Sequence, residues 1–367
     1  MKTKLFITGS SGFIGFHVAK RYLDKGCKVC GFDSMNSYYD VKLKKSRLKI
    51  LKKYKNFSFT KGNLENQKIL NNSINKFKPS IIIHLAAQAG VRYSIENPKV
   101  YLNSNILGTF HVIESAKKFK VKHLIIGSSS SVYGANKKFP FQEIDKTDSQ
   151  ISFYAATKKS IESLAHSYSS LWKMPITILR FFTVYGPWGR PDMAYFKFTK
   201  KILAGKKIDI YNKGKMYRDY TYIDDIVEGM IKVIDRPAAS EERWDSINPD
   251  PATSTAPYKI YNIGNNNPVK LMDFISSIFG LHALSQQKHL HPGFTNHTKA
   301  NLDPNDLDSL VQKQSNYGQG MNPLENIFPG NWQWSGSTFN FKVGYDDYSG
   351  AFGFGEGPDN LLAVENV

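Results

Sequence analysis

The sequence predicts an α/β protein: a parallel, doubly wound sheet followed by a smaller region of looser pattern. Three observations carry that prediction. Strand-length apolar runs alternate with stretches of helical period as far as about residue 182. One of these runs, "PSIIIHLAA" at 79–87, has the unbroken apolar centre of a strand buried on both faces. A glycine-rich turn also separates the first run from the first helical stretch. Alternation of this kind gives a parallel sheet whose crossovers are helices.

The elements follow in order. "KLFIT" is the first strand, and Phe13, Ile14, Val18 and Leu23 share a helical face after the turn. "CKVCGFD" is the second strand, "FSFTKGNL" the third and "PSIIIHLAA" the fourth. "NILGTFHVIESAKKFK" reads as a helix, "HLIIGSSS" as the fifth strand, "YAATKKSIESLAHSYSSLWK" as a helix and "PITILRF" as the sixth strand. Past residue 182 the pattern loosens. "MAYFKFTKKILAGK" reads as a helix, "IDIYN" as a short strand and "YIDDIVEGMIKVIDR" as a helix. A Pro/Ser/Asp-rich loop at 237–257 leads to a strand, "YKIYNIG", and the start of a helix, "KLMDFISSIF". The expected organisation is a nucleotide-binding domain at 1–182 and a smaller substrate-binding region at 183–280, some of whose elements return to the sheet. Residues 281–367 form an atypical tail.

Charge and composition narrow the function classes. The chain of 367 residues carries a formal net charge of +18, with 41 lysines against 8 arginines. The densest basic run, "KLKKSRLKILKKYK" at 42–55, alternates with Leu and Ile at helical spacing and reads as a solvated helix face. Scattered lysines suit an anionic small substrate, and no nucleic acid is expected as partner. No stretch approaches the length of a membrane span, and "KLFITGSSG" turns polar too soon for a signal peptide, so the expected location is cytoplasmic with no membrane partner. Cys27 and Cys30 point to opposite faces of a strand, which makes them structural thiols and not half of a metal site. The tail departs from the rest: residues 281–367 hold 4 Lys, no Arg and 9 acids. Its four histidines lack companion ligands at metal spacing, and no metal is expected.

Two motifs carry chemistry. Gly9, Gly12 and Gly15 form G-x-x-G-x-x-G between the first strand and helix, with Phe13 and Ile14 in the first helical turn. Small residues there let backbone amides approach a pyrophosphate at the positive helix end. Asp33 ends the second strand, where a carboxylate accepts hydrogen bonds from ribose hydroxyls and favours NAD over NADP. The expected fold is therefore a Rossmann sheet with NAD as cofactor. Tyr154 and Lys158 form Y-x-x-x-K on one face of a helix. A tyrosine, of pKa roughly 10, becomes a base near neutrality only when a neighbouring cation stabilises its phenolate.

The glycine spacing, "HLAAQAG" at 84–90, "NILGT" at 105–109 and the Y-x-x-x-K resemble the extended short-chain dehydrogenase/reductases, NAD-dependent enzymes acting on sugar nucleotides. "HLAAQAGVRYSIENP" at 84–98 and the segment 180–229 are similar to UDP-glucuronate 4-epimerases in particular. The resemblance implies that Leu85, Ala86 and Ala87 flank the cofactor and that Asn105 supports the site. It puts Asn63 and Leu64 near adenine, where the family usually has Gly-Asp-Leu. It implies Ser129 as the serine that hydrogen-bonds the reacting hydroxyl, with Ser128 serving the backbone turn. Thr183, Arg190, Ser130 and Ser131 would surround a sugar carboxylate, Arg218 would meet the diphosphate, and Arg92 is a further candidate for the substrate. A homodimer through the helices at about 105–118 and 154–172 is implied as well.

The reaction follows from an absence. The family's dehydratases and decarboxylases place an acid just before "VYG"; this chain has "SSSSVYG". That argues for reversible oxidation at C4, hence 4-epimerisation of a UDP-sugar, with UDP-glucuronate first and UDP-glucose as the alternative. The resemblance runs to about residue 280. Beyond it the family's "PGDV" segment has only a loose counterpart in "HPGF", and the tail reads as disordered, β-rich or foreign sequence. A catalytically impaired NAD-binding protein is the alternative of another class.

Overall fold

The computed structural model describes residues 3–278. Among these, one compact unit comprises residues up to Val184 with Arg218–Pro268, and a second comprises Tyr185–Tyr217 with the residues from Val269 on. The tail expected at 281–367 lies outside the described residues.

In the first unit, strands β1 (Lys4–Thr8), β2 (Lys28–Asp33), β3 (Phe57–Lys61), β4 (Ile81–His84), β5 (His123–Ser129) and β6 (Ile176–Phe181) alternate with helices. These are α1 (Phe13–Asp24), α2 (Val41–Leu51), α3 (Gln67–Phe77), two single turns α4 (Tyr93–Glu96) and α5 (Pro98–Tyr101), α6 (Gly108–Lys118) and α7 (Phe153–Trp172). Further along come β7 (Thr183–Tyr185), α8 (Ala194–Leu203), β8 (Tyr217–Tyr222), α9 (Ile223–Ile234), β9 (Tyr258–Ile263) and β10 (Pro268–Lys270). The main sheet has the order β3-β2-β1-β4-β5-β6-β9, and every pairing in it is parallel. The chain direction across the sheet reverses between β1 and β4. Ligands of doubly wound sheets bind at the carboxyl ends of the strands beside such a reversal.

The strands are apolar because both faces are covered. Phe6, Phe32, Ile82, Leu124, Ile126 and Ile178 form one core with Leu70 and Ile74 of α3, Val112 and Ile113 of α6, and Ile161 and Ala165 of α7. Each such fully buried side chain is worth roughly 1.5–3 kcal/mol. Helix starts are set by side chains: Asn66 caps α3, Asp40 caps α2, and Ser152 caps α7 by accepting from the Ala155 amide at 3.0 Å. Leu102–Leu107, of which the residues from Asn105 on are expected as the start of a helix, form a π-helical turn ahead of α6. Such turns are frequent at functional sites.

The second unit has its own small core of Ile202, Ile208, Ile210, Met216, Leu271 and Ile275. Here "IDIYN" is not a strand. Its alternation is real, since Ile208 and Ile210 are both buried, but they fill this core without pairing to a neighbour. Conversely β7 and β8, which carry no strong alternating pattern and lie mostly in the first unit, pair with each other in a small sheet. Residues 271–278 are helical, as "KLMDFISSIF" predicts. Neither cysteine is in a disulfide, and Cys30 is buried against the Ser73 hydroxyl.

Candidate active site

The turn from β1 into α1 requires its glycines. Gly9 has φ +73°, and a Cβ there would lie 2.8 Å from the Ala86 nitrogen. A Cβ on Gly15 would collide with the Gly9 carbonyl oxygen. The Gly9 amide donates to the Phe32 carbonyl at 2.8 Å and the Gly12 amide to the Gly9 carbonyl at 2.9 Å, which closes the turn. Phe13 is buried and Ile14 half-buried in the first turn of α1. Gly12 is the N-cap and, having no side chain, supplies no side-chain cap to this helix. The Ser10 and Ser11 hydroxyls beside it are buried without a hydrogen-bond partner. Orphaned hydroxyls and an uncapped helix start fit an incoming diphosphate.

Asp33, also buried, accepts from the Ser11 amide at 3.0 Å and the Met35 amide at 2.8 Å, which holds its carboxylate at the turn. The Gly62 amide donates to the Asp33 carbonyl at 3.1 Å, so the turn bearing exposed Asn63 and buried Leu64 lies beside it. Leu85, Ala86 and Ala87 follow β4 half-buried, with the Ala86 amide on the Thr8 hydroxyl at 3.2 Å. One expectation fails here. The basic helix α2 is not simply a solvated face, because Lys44 and Arg47 are buried. Arg47 donates to the Ser11 carbonyl at 3.0 Å and to the Tyr39 hydroxyl at 2.9 Å, and Lys44 to the Asn36 carbonyl at 2.8 Å. Arg47 therefore braces the glycine turn, and Lys44 the loop after β2.

Tyr154 stands in the first turn of α7, its amide donating to the Ser94 hydroxyl at 3.1 Å and its ring edge-on to Tyr101. Lys158 is buried, and its ammonium donates to the Gly127 carbonyl at 2.7 Å, 5.9 Å from the centre of the Tyr154 ring. Burial pulls this ammonium down to about 8, while the negative charge of Glu162 opposes the shift. His84 lies between the Thr8 hydroxyl at 2.7 Å and the Thr109 hydroxyl at 2.9 Å; burial, aided by the Lys158 charge, pushes it down to about 3. Asn105, in the π-helical turn, accepts from the Gln88 amide at 2.7 Å and donates to the Thr157 hydroxyl at 3.1 Å. It thereby ties the loop after β4 to the helix of Tyr154 and Lys158.

Ser129 ends β5. Its hydroxyl accepts from the Ser131 amide at 3.2 Å, capping the short 3-10 turn Ser130–Tyr133, in which Ser130 and Ser131 are buried. Ser128 does not serve the turn as expected: its hydroxyl donates to the Glu162 carboxylate at 2.6 Å, because alternation sends it to the opposite face of the strand from Ser129. The substrate candidates are placed as follows. Thr183 is half-buried in β7, Arg92 exposed just before α4, and Arg218 in β8. Arg190 belongs to the second unit and pairs with Asp192, Nε to Oδ1 at 3.0 Å with a second bond from Nη2. The sequence reading missed Asp192, though its place two residues after an arginine was a signal. Among the described residues, no group of three or more His, Cys, Asp or Glu is placed to hold a metal ion, and no helix is long and apolar enough to cross a membrane.

Sheet order, glycine turn and a Tyr-Lys pair beside a strand-end serine define an extended short-chain dehydrogenase/reductase. Residues 5–264 match the NAD dependent epimerase/dehydratase family, and the chain belongs to that family, whose cofactor is NAD. It is 49% identical to the protein CapI of Staphylococcus aureus over 322 residues, 87% of this chain and 96% of that one. That alignment extends past residue 280, where the motif resemblance ends. It is 50% identical over 279 residues to a probable UDP-glucuronate 4-epimerase of Rhizobium meliloti, covering 75% of this chain and 81% of that one. Among solved structures, UDP-glucuronic acid 4-epimerase from Bacillus cereus, in complex with UDP-glucuronic acid and NAD, matches with a TM-score of 0.67. The identity there is 30%, over 77% of this chain and 83% of that one.

Proposed function

We propose that the chain interconverts UDP-glucuronate and UDP-galacturonate by 4-epimerisation. The observation that carries this reading is the end of β5: Ser129, Ser130 and Ser131, with no carboxylate among them, ahead of a Tyr154–Lys158 pair braced on the same strand. The relatives named for the same reaction support it.

Glycines 9, 12 and 15, the Ser10 and Ser11 hydroxyls and Asp33 are the groups that would hold NAD. NAD, held there, would supply reversible hydride acceptance at C4 of the sugar, with return to the opposite face and no net redox change. Tyr154 removes the proton of the 4-hydroxyl and gives it back at the end. Lys158, kept cationic, stabilises the phenolate between the two transfers. Ser129 holds the reacting oxygen by a hydrogen bond. Ser130, Ser131 and Thr183 are assigned to the sugar carboxylate, and Arg190 is assigned as its cationic partner on the resemblance alone. Arg218 is assigned to the diphosphate, and Arg92 to the substrate.

Incubation with UDP-glucuronate and with UDP-glucose, each followed by separation of the products, tests the reading. UDP-galacturonate should form from the first with the higher kcat/KM. A higher kcat/KM with UDP-glucose would favour the alternative epimerase, and NAD retention without turnover of either sugar would favour a binding protein.

A homodimer is part of the same proposal. Leu107, Phe110, Leu171 and Trp172, on or next to α6 and α7, are large exposed apolar side chains, and the two helices are joined by the Tyr168 hydroxyl on Glu114. Light scattering should give twice the chain mass, and Phe110→Glu should reduce it. The proposed location is the cytoplasm, a reducing compartment in keeping with two cysteines that form no disulfide.

A further inference from the structure

One turn beyond Lys158 on α7 lies a second buried charge. The Glu162 carboxylate accepts from the Ser128 hydroxyl at 2.6 Å and from Arg180 Nε at 3.1 Å through Oε1, and from Arg180 Nη2 at 2.9 Å through Oε2. Both side chains of this pair are almost fully buried, at 3% and 1% exposure. Arg180 also donates to the Tyr133 hydroxyl at 3.1 Å, and Tyr133 donates to Asn262 at 2.6 Å.

An ion pair so deep is a weak stabiliser, because desolvation of both charges offsets their attraction, and apolar residues of similar volume often hold a fold as well. The place of this pair accounts for it better. Ser128 lies between Gly127, whose carbonyl receives the Lys158 ammonium, and Ser129, the candidate for the reacting hydroxyl. Glu162 is four residues from Lys158 and so lies on the same helix face. A single carboxylate thus grips the strand end through Ser128 and supplies negative charge to Lys158 itself.

We infer that Glu162 is a positioning residue for the Tyr154–Lys158–Ser129 group. It acts on the end of β5 through Ser128 and on Lys158 through its charge, while Arg180 pairs with its carboxylate in the core. The inference rests on the proposed role of Lys158.

The groups that face this cluster do not replace Glu162. His84 of β4 is held neutral by burial. Tyr133 of the 3-10 turn and Tyr258 of β9, whose hydroxyl donates to the Glu162 carbonyl at 3.3 Å, are raised by burial and stay neutral. Glu143 meets the cluster through its carbonyl, on Arg180, and its carboxylate accepts from the Asn262 amide. Tyr154 is the group being served. Burial disfavours the Lys158 cation, and Glu162 supplies the opposing charge.

The test reads the titration of Lys158 directly, from its ¹³Cε resonance in lysine-labelled protein, identified by its loss in Lys158→Met. In the double variant Glu162→Leu/Arg180→Met the core stays neutral and the charge beside Lys158 is gone. The midpoint should fall by about one pH unit or more, and the alkaline limb of kcat should fall with it. Ser128→Ala and Glu162→Asp keep the charge and break the grip. They should leave the midpoint in place and lower kcat about three- to tenfold, the worth of one hydrogen bond. An unmoved midpoint in a folded double variant overturns the inference. If the double variant does not fold, parental kcat in both Ser128→Ala and Glu162→Asp overturns it. Absence of turnover in the parent protein counts against the proposed function alone, since the titration needs no substrate.

Discussion

The Lys158 ammonium donates to the Gly127 carbonyl oxygen at 2.7 Å, so the cation beside Tyr154 is fixed by the strand that ends in Ser129. Fixing it costs solvation, and the ammonium is pulled down to about 8. The cation supports the Tyr154 phenolate only while protonated. Activity should therefore fall as pH rises through about 8, the reverse of what deprotonation of Tyr154 alone would give. A kcat profile from neutral to alkaline pH at saturating substrate checks this. A profile still rising well above pH 8 would remove Lys158 from its role. Lys158→Met should lower kcat on the order of a hundredfold or more.

At the glycine turn, Gly15 packs its α-carbon against the Gly9 carbonyl, and Gly9 sits at φ +73° beside the Ala86 nitrogen. Neither has room for a methyl group. Gly15→Ala should force the turn open and release the cofactor, read as a fall in the absorbance of purified protein at 260 nm relative to 280 nm. Gly9→Ala adds the strain of a left-handed backbone, of order 1–3 kcal/mol, and should also lower the melting temperature. Full cofactor retention in both variants would show that the turn does not carry the diphosphate.

Arg190 is held by Asp192 through one edge of its guanidinium, Nε and Nη2. A 4-keto uronic acid is a β-keto acid, prone to lose CO₂. If Arg190 holds the sugar carboxylate, it opposes the orientation that decarboxylation needs. Arg190→Leu should then raise KM for UDP-glucuronate and increase the share of UDP-pentose by-product, measured by anion-exchange chromatography. An unchanged product ratio would place Arg190 outside the site.

The parts of this site that were legible in the sequence are those whose chemistry is local in the chain. Gly9, Gly12 and Gly15 answer one backbone turn, Tyr154 and Lys158 one helical turn, and Ser129 one strand end. The parts that were not legible depend on partners outside their own helix or strand. Lys44 and Arg47 look like any lysine-rich helix face until Asn36, Tyr39 and the Ser11 carbonyl are placed beneath them. Nothing in the spacing of Ser128, Glu162 and Arg180 announces that strand and helix bring them into one network. The "IDIYN" segment misled for a related reason: alternate burial of Ile208 and Ile210 is the signature of a strand, but here a small core takes both without a ladder.

Buried histidines set an acid limit on the fold. His84 is pushed to about 3, chiefly by burial, and His123, bonded to the Thr177 hydroxyl at 2.9 Å and near the Ile234 carbonyl at 3.2 Å, is pushed to about 4 by the same cause. His166 is lowered too. In the unfolded chain each takes a proton near 6.5. Between that value and the depressed one the unfolded state binds more protons, so stability rises with pH across the window. The contribution is fully present above pH 6.5 and is lost as pH falls toward 4. The melting temperature should accordingly drop from pH 7 to pH 5, before most carboxylates titrate. His84→Gln, which keeps a donor and an acceptor for Thr8 and Thr109, should melt lower than the parent at pH 7. It should also lose less between pH 7 and pH 5, because its contribution to the slope is gone. Parallel melting curves for parent and variant across that interval would mean that His84 is not held neutral in the folded protein.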